Sequence, residues 1–216
     1  MTTYYKALRP DGTDFATGTT KPRKGSWMPR LEGDLVMCKR GYHVSDAVAE
    51  TLVGGSWPCK LARVEIPEGK WRRDDHKLLV PTYRVVEWLP AWQALGPNGE
   101  EVAAMIALTR RMTPGQEWSL IATRAAAWFA AWDAAWATAR ATARYAAWAA
   151  ARAAAWSAAW DAARAAAWDA AWDAAWDAAW DAAWAASLAL VVRDLITPEQ
   201  FDILYGPWRS AMEETE

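Results

Sequence analysis

Phenylalanine, histidine and cysteine are scarce in this 216-residue chain, with three, two and two copies. Two cysteines, Cys38 and Cys59, are too few for a disulfide scaffold and suit a reducing compartment, so a cytoplasmic location is expected. No charged-then-apolar leader opens the sequence. No run reaches the roughly 18 apolar residues of a membrane span, and the longest candidate, 182–192, is too short. The net charge of −2 gives the whole chain no general attraction to nucleic acid. That charge is uneven, however: residues 1–95 carry 15 Lys and Arg against 11 Asp and Glu, whereas 96–216 carry 9 against 15. The most consequential absence is local. Between Gln116 and Thr197 there is neither glycine nor proline, so no residue instructs a helix to stop.

What fills that stretch is Ala and Trp, and Trp reaches 18 residues in the chain. Counting every fourth residue from 128 gives Trp128, Trp132, Trp136, Arg140, Arg144, Trp148, Arg152, Trp156, Trp160, Arg164, Trp168, Trp172, Trp176, Trp180 and Trp184. The next position is often Asp, and the remaining two are almost always Ala, so the unit is W-D-A-A and never slips in phase. Ala has the highest helix propensity and Trp gives up only tenths of a kcal/mol against it. The expectation is one continuous helix from about Pro114 to Asp194, about 80 residues and about 120 Å long. Four residues overshoot one helical turn by about 40°, so over fourteen steps the row winds about 560° around the axis. A simple left-handed heptad coil is excluded; a right-handed coiled coil or a helical bundle is implied. Left bare, the eleven Trp of the row would form a large apolar surface, so the row must be covered, by a second copy, by the N-terminal part or by another protein. Arg140 and Arg144 precede Asp169 and Asp173, an order that suits antiparallel self-association about Trp156, hence a homo-oligomer. The plainer alternative is a permissive spacer, since tetrapeptide repeats expand by slippage.

The remaining segments read in order. Residues 1–95 form a small α+β domain, with strands in "TYYKAL", "DLVMC", "YHVSD", "WPCKLARVEIP", "KLLV" and "TYRVVEWL" and a short helix from Asp46 to Val53. Residues 96–112 hold a turn and a short helix from Glu100 to about Arg111; 113–195 are the repeat; 196–216 are a short helix and an acidic tail. "TPGQ" at 113–116 and "TPEQ" at 197–200 are capping boxes, and Gly206-Pro207 should end the last helix. The four potential metal ligands Cys38, His43, Cys59 and His76 share the first domain, at spacings that match no usual zinc site. The basic loop holding Lys21, Arg23, Lys24 and Arg30, with Trp27 inside it, could contact nucleic acid, and Lys39-Arg40 and Arg72-Arg73 could touch phosphates.

Two resemblances bear on the first domain. "YKALRPDG" followed by "GDLVMCKRGYHVSD", with Cys38, Gly41, Tyr42 and His43 as a Cys-x-x-Gly-aromatic-His core, resembles an uncharacterised domain family of bacteriophages and actinobacteria. That likeness implies a phage or prophage origin, a host or phage protein as partner, and no established activity. "GYHVSDAVAETLVGG" with the strand after it also resembles the ADP-ribosyltransferase-like superfamily. There the likeness implies NAD as cofactor, Tyr42 stacking on the nicotinamide ring, Ser45 beside it and Glu87 as the catalytic carboxylate. The expected protein is a non-enzymatic, self-assembling interaction protein, with an NAD-dependent enzyme and a nucleic-acid-binding head as alternatives.

Overall fold

The computed structural model describes residues 3–37, 39–74, 76–111, 126–142, 144–166 and 171–213, leaving out side chains at 126–130, 161–166, 171–176 and 178. The chain divides into two compact units, 1–96 and 97–216. Among the described residues it is an α+β protein: two small antiparallel sheets, then five α-helices.

In the first unit, β1 (Tyr4–Leu8), β3 (Lys60–Glu65) and β6 (Arg84–Leu89) form one sheet with β3 in the middle. β2 (Tyr42–Val44), β5 (Leu78–Val80) and β4 (Arg72–Arg73) form the other, with β5 in the middle. The two are stitched by a Tyr5–Ser45 bridge, each amide donating to the other's carbonyl at 2.7 and 2.9 Å. Val44, Ala62, Val64, Leu78, Val80, Tyr83 and Val85 pack between them. The basic loop runs along the edge of the first sheet: the amides of Gly25, Met28 and Leu31 donate to the carbonyls of Val85, Tyr83 and Pro81. This covers an edge that would otherwise invite strand addition.

Two local expectations fail here. "DLVMC" forms no strand over 34–37; Val36 instead closes a tight bridge with Arg40. The 46–53 segment forms only a 3-10 turn at Val48–Glu50, the stretch before Gly54-Gly55 being too short to repay helix nucleation. β4, a two-residue strand of arginines, carried no apolar signal.

The second unit overturns the single long helix. The repeat folds as α2 (Ala126–Ala141), α3 (Tyr145–Ala166) and α4 (Ala171–Val191), after α1 (Gly99–Thr109) and before α5 (Pro198–Glu213). α4 packs against each of the other four helices, and the stretch once considered as a membrane span is its buried end. No described helix is long and apolar enough to cross a membrane. Arg144 reaches Val191 and Asp194, while Trp148 and Arg152 reach Trp184, so α3 and α4 run antiparallel within one chain. α2 ends where the Thr138 and Thr142 hydroxyls bond back to the carbonyls of Ala134 and Thr138, at 2.8 and 3.0 Å.

The reason lies in the period. The residue just before each Trp or Arg of the row is buried at every position whose exposure is described: Ala131, Ala135, Ala139, Ala147, Ala151, Ala155, Ala159, Ala179 and Ala183, none above 4% exposed. Helices meet through this small-residue row, and the indoles flank it. On one straight helix that row would spiral away from any neighbour. Cut into helices of 16, 22 and 21 residues, it drifts by no more than about 200° in each, because only about five steps fit.

The last helix brings one confirmation and one correction. Its capping box is present: the Thr197 amide donates to Gln200 Oε1 at 3.0 Å and the Gln200 amide to Thr197 Oγ1 at 3.2 Å. The other box, 113–116, lies outside the described residues. Gly206-Pro207 does not end α5, which continues to Glu213. Trp208 and Ala211 are buried beyond the proline, and the Trp208 indole donates to Thr109 Oγ1 at 3.3 Å, so packing outweighs one lost backbone hydrogen bond.

Two stability outcomes are expected. Ala155→Leu overfills the buried row and costs about 1–3 kcal/mol in urea denaturation, while Ala137→Leu, on the exposed face of α2, changes stability by no more than about 0.5 kcal/mol. Equal effects at the two positions contradict the bundle. Trp148→Ala, which removes a ring only 2% exposed, costs about 3–5 kcal/mol by the same measurement.

Candidate functional site

The first unit holds a cleft of about 500 Å³. β1 contributes Tyr5 and Lys6; β2 and the residue after it contribute Tyr42, His43 and Ser45. Phe15, Asp14 and Thr17 come from the loop after β1, Lys39 and Arg40 from the turn before β2, and Lys77 from just ahead of β5. Gly41 sets the position of Tyr42. Its φ is +144°, and a Cβ there would lie 2.3 Å from Leu79 Cδ1, so no larger residue lets β2 approach β5 this closely.

Charge in the cleft is lopsided. Four cationic side chains face one carboxylate, and that carboxylate is already engaged. Asp14 is buried and accepts from the Thr17 amide and hydroxyl at 2.7 and 2.6 Å and from the Thr20 amide at 3.1 Å. Burial works against its ionisation, but these bonds and the Lys6 charge hold it below the usual carboxylate range. The half-buried Lys6 donates to the His43 carbonyl at 2.9 Å and lies over the Tyr83 ring, 5.3 Å from its centroid. Burial first, then the nearby Lys77 charge, lowers its ammonium to about 8, partly offset by Asp14. His43 is pushed down by burial and then by Lys77 and Lys6. Tyr42, edge-on to Tyr83 at 5.2 Å, is pushed up by burial and by Asp14.

The residues singled out from sequence distribute as follows. Tyr42 and Ser45 line this cleft together, and the buried Ser45 hydroxyl donates to the His76 carbonyl at 3.0 Å. Glu87 does not line it: it sits on β6, about half exposed, ion-paired to Arg63 at 2.9 Å. Lys21, Arg23, Lys24 and Arg30 are all exposed on the loop along β6, away from the cleft lining, with Trp27 under the Arg84 guanidinium at 5.2 Å. Of the potential metal ligands, Cys38 lies outside the described residues. Cys59 is a buried thiol, pushed up to about 12 by burial, and His76 contacts Glu50 at 3.2 Å. No group of three or more His, Cys, Asp or Glu that could hold a metal occurs among the described residues.

The tryptophan row is partly consumed within the chain. Trp132 of α2, Trp148 of α3 and Trp184 of α4 meet with ring centroids 4.8–6.4 Å apart, and Trp180 stacks on Trp184 at 5.1 Å. Arg152 lies over both Trp148 and Trp184, and Arg140 over Trp136. Arg144 pairs with Asp194. Asp169 and Trp168 fall outside the described residues, as do the side chains of Trp128, Trp172, Asp173 and Trp176. Trp156 and Trp160 are left on the outside, 47% and 38% exposed and 6.4 Å apart.

Sequence reading did not single out Asp14 or Lys77, nor assign Lys6 a role. Lys6 offered one signal, a cation inside an otherwise apolar strand, and Asp14 another, a D-x-x-T turn. No protein-family model, no curated protein and no solved structure matches the chain.

Lys6 has its folded pKa below the 10.5 of an unperturbed lysine. The unfolded chain therefore binds more protons between about 8 and 10.5, and the contribution of this group to stability rises with pH across that window. Side-chain NMR is expected to show a lysine titrating near pH 8 whose signal vanishes in Lys6→Met; survival of that signal refutes the assignment.

Proposed function

We propose that this chain is a non-enzymatic interaction protein of two parts: residues 1–96 recognise a ligand, and residues 97–216 form a Trp/Ala bundle through which two copies associate. The observation that carries the reading is the outer face of α3. Arg152, Ala153, Trp156, Ser157 and Trp160 are all exposed and follow helical spacing, so they form one continuous stripe. An antiparallel two-fold about Trp156 stacks that residue on its own copy and sets Trp160 of each chain beside the stem of the other's Arg152, whose guanidinium stays over Trp148 and Trp184 of its own chain. A two-fold interface needs such self-complementarity. The Arg140/Arg144 to Asp169/Asp173 pairing is replaced in this reading, because Arg144 is occupied by Asp194 within the chain.

The NAD-dependent transferase is the second reading. Tyr42 and Ser45 sharing a cleft favours it; the position of Glu87, held by Arg63 outside that cleft, weighs against it. A phage or prophage origin, with action in the host cytoplasm, rests on the resemblance of the first 90 or so residues and belongs to the same proposal.

The test is solution mass across a concentration series. The full chain is expected to be dimeric at high concentration, and Trp156→Asp with Trp160→Asp is expected to be monomeric with unchanged helical circular dichroism. A wild-type chain that stays monomeric throughout overturns the association.

A further inference from the structure

We infer that the cleft of the first unit is a binding site for a small phosphorylated molecule bearing a flat ring, of the nucleoside-phosphate class. The inference rests on reading residues 1–96 as a recognition unit and gives that unit a ligand chemistry; it stands apart from association through α3.

Three observations converge. The first is charge. Lys6, the adjacent pair Lys39 and Arg40, and Lys77 come from three separate segments yet line one cleft. A solvated face of lysines spreads its charge outward, whereas these surround a concavity in which field lines are focused. Asp14, a single carboxylate, balances one of them at most. Among the described residues none of the four cations forms an ion pair, and the Arg40 guanidinium donates to the neutral Glu32 carbonyl. A phosphate carrying two negative charges supplies the missing counter-charge and enough acceptors for several ammonium and guanidinium donors.

The second is the aromatic wall. Tyr42 and Phe15 are half-buried in the lining, and Tyr42 is fixed by its hydroxyl bond to the Pro29 carbonyl at 3.1 Å and its edge contact with Tyr83. A ring held this way is a preformed stacking surface for a planar group. The third is size: about 500 Å³ falls within the range of small-molecule sites and suits a mononucleotide better than a bare ion. Lys21, Arg23, Lys24 and Arg30 of the exposed basic loop lie outside the lining; of the phosphate contacts considered from the sequence, the cleft contains Lys39 and Arg40.

The experiment is isothermal titration of the full chain with ADP, AMP, inorganic phosphate and adenosine, at low and high potassium chloride. ADP is expected to bind more tightly than AMP, and AMP more tightly than phosphate, with adenosine giving no measurable binding and salt weakening each phosphate. Lys77→Ala and Arg40→Ala are each expected to weaken ADP about tenfold, the size of one charge-assisted contact. Neither change should alter circular dichroism or solution mass. Lys6→Met is expected to abolish binding, and Lys6→Arg provides a check should the methionine variant misfold. No binding of ADP, equal binding of ADP and adenosine, or ADP binding untouched by Lys77→Ala and Arg40→Ala each overturns the site. So does a short single-stranded RNA that outcompetes ADP and is released by Lys21→Ala with Arg23→Ala. Mass measured on the same samples reports association separately, so failure of one proposal is not mistaken for failure of the other.

Discussion

A repeat of four residues cannot stay in register with a helix of about 3.6 residues per turn, and the second unit is built around that mismatch. Each W-D-A-A unit rotates the small-residue row by about 40°, so a straight neighbour can follow it only for a few units. The chain responds by being divided into helices short enough that the row still faces a neighbour along each. Ala in the contact row lets backbones approach closely. The indoles, too large for the contact line, fold over its sides, where Trp132, Trp148 and Trp184 clasp three helices together. Among the described residues, part of the packing that would have been left to a second chain is satisfied within one, while Tyr145, Trp156 and Trp160 stay exposed.

The parts of the fold legible in the sequence are those set by short-range signals. The Thr197–Gln200 capping box, α1 with Glu100 and Glu101 in its first turn, and the alternating strand around Leu61–Val64 could be read from a few neighbouring residues. The breaks within the repeat could not. Apart from the back-bonded Thr138 and Thr142 at the end of α2, no local residue stops the helix, and the remaining cause is tertiary: burial of Ala rows, with the Arg144–Asp194 and Arg193–Glu101 ion pairs at the ends of helices. The same cause carried α5 through Pro207, where the local rule was sound but Trp208 had a buried seat beyond it. The cleft was half legible. Tyr42 and Ser45 lie close in sequence and could be named together. Lys6, Asp14 and Lys77 are brought to them only by the pairing of β1, β2 and β5.

The first unit gathers several cations around one cleft. Its sheets are three strands each and leave a gap where β1 and β2 meet through a single bridge. Lys6 enters that gap beside a backbone carbonyl and an aromatic face, both of which tolerate a cation without neutralising it. Three hydrogen bonds from Thr17 and Thr20 hold the Asp14 carboxylate in the turn after β1. A fixed excess of positive potential is the outcome of these local bonding choices.

The buried alanine row also constrains how such a protein can change length. Inserting one tetrapeptide unit lengthens a helix by about 6 Å and turns everything beyond it by about 40°. Only nine units, about ten full turns, restore the original facing. A gain of one unit in α3 without a compensating gain in α4 would misdirect Arg144 or Trp184 from its present partner. Copy number in this array is therefore not a freely drifting quantity: lineages should tolerate paired changes in facing helices and reject solitary ones.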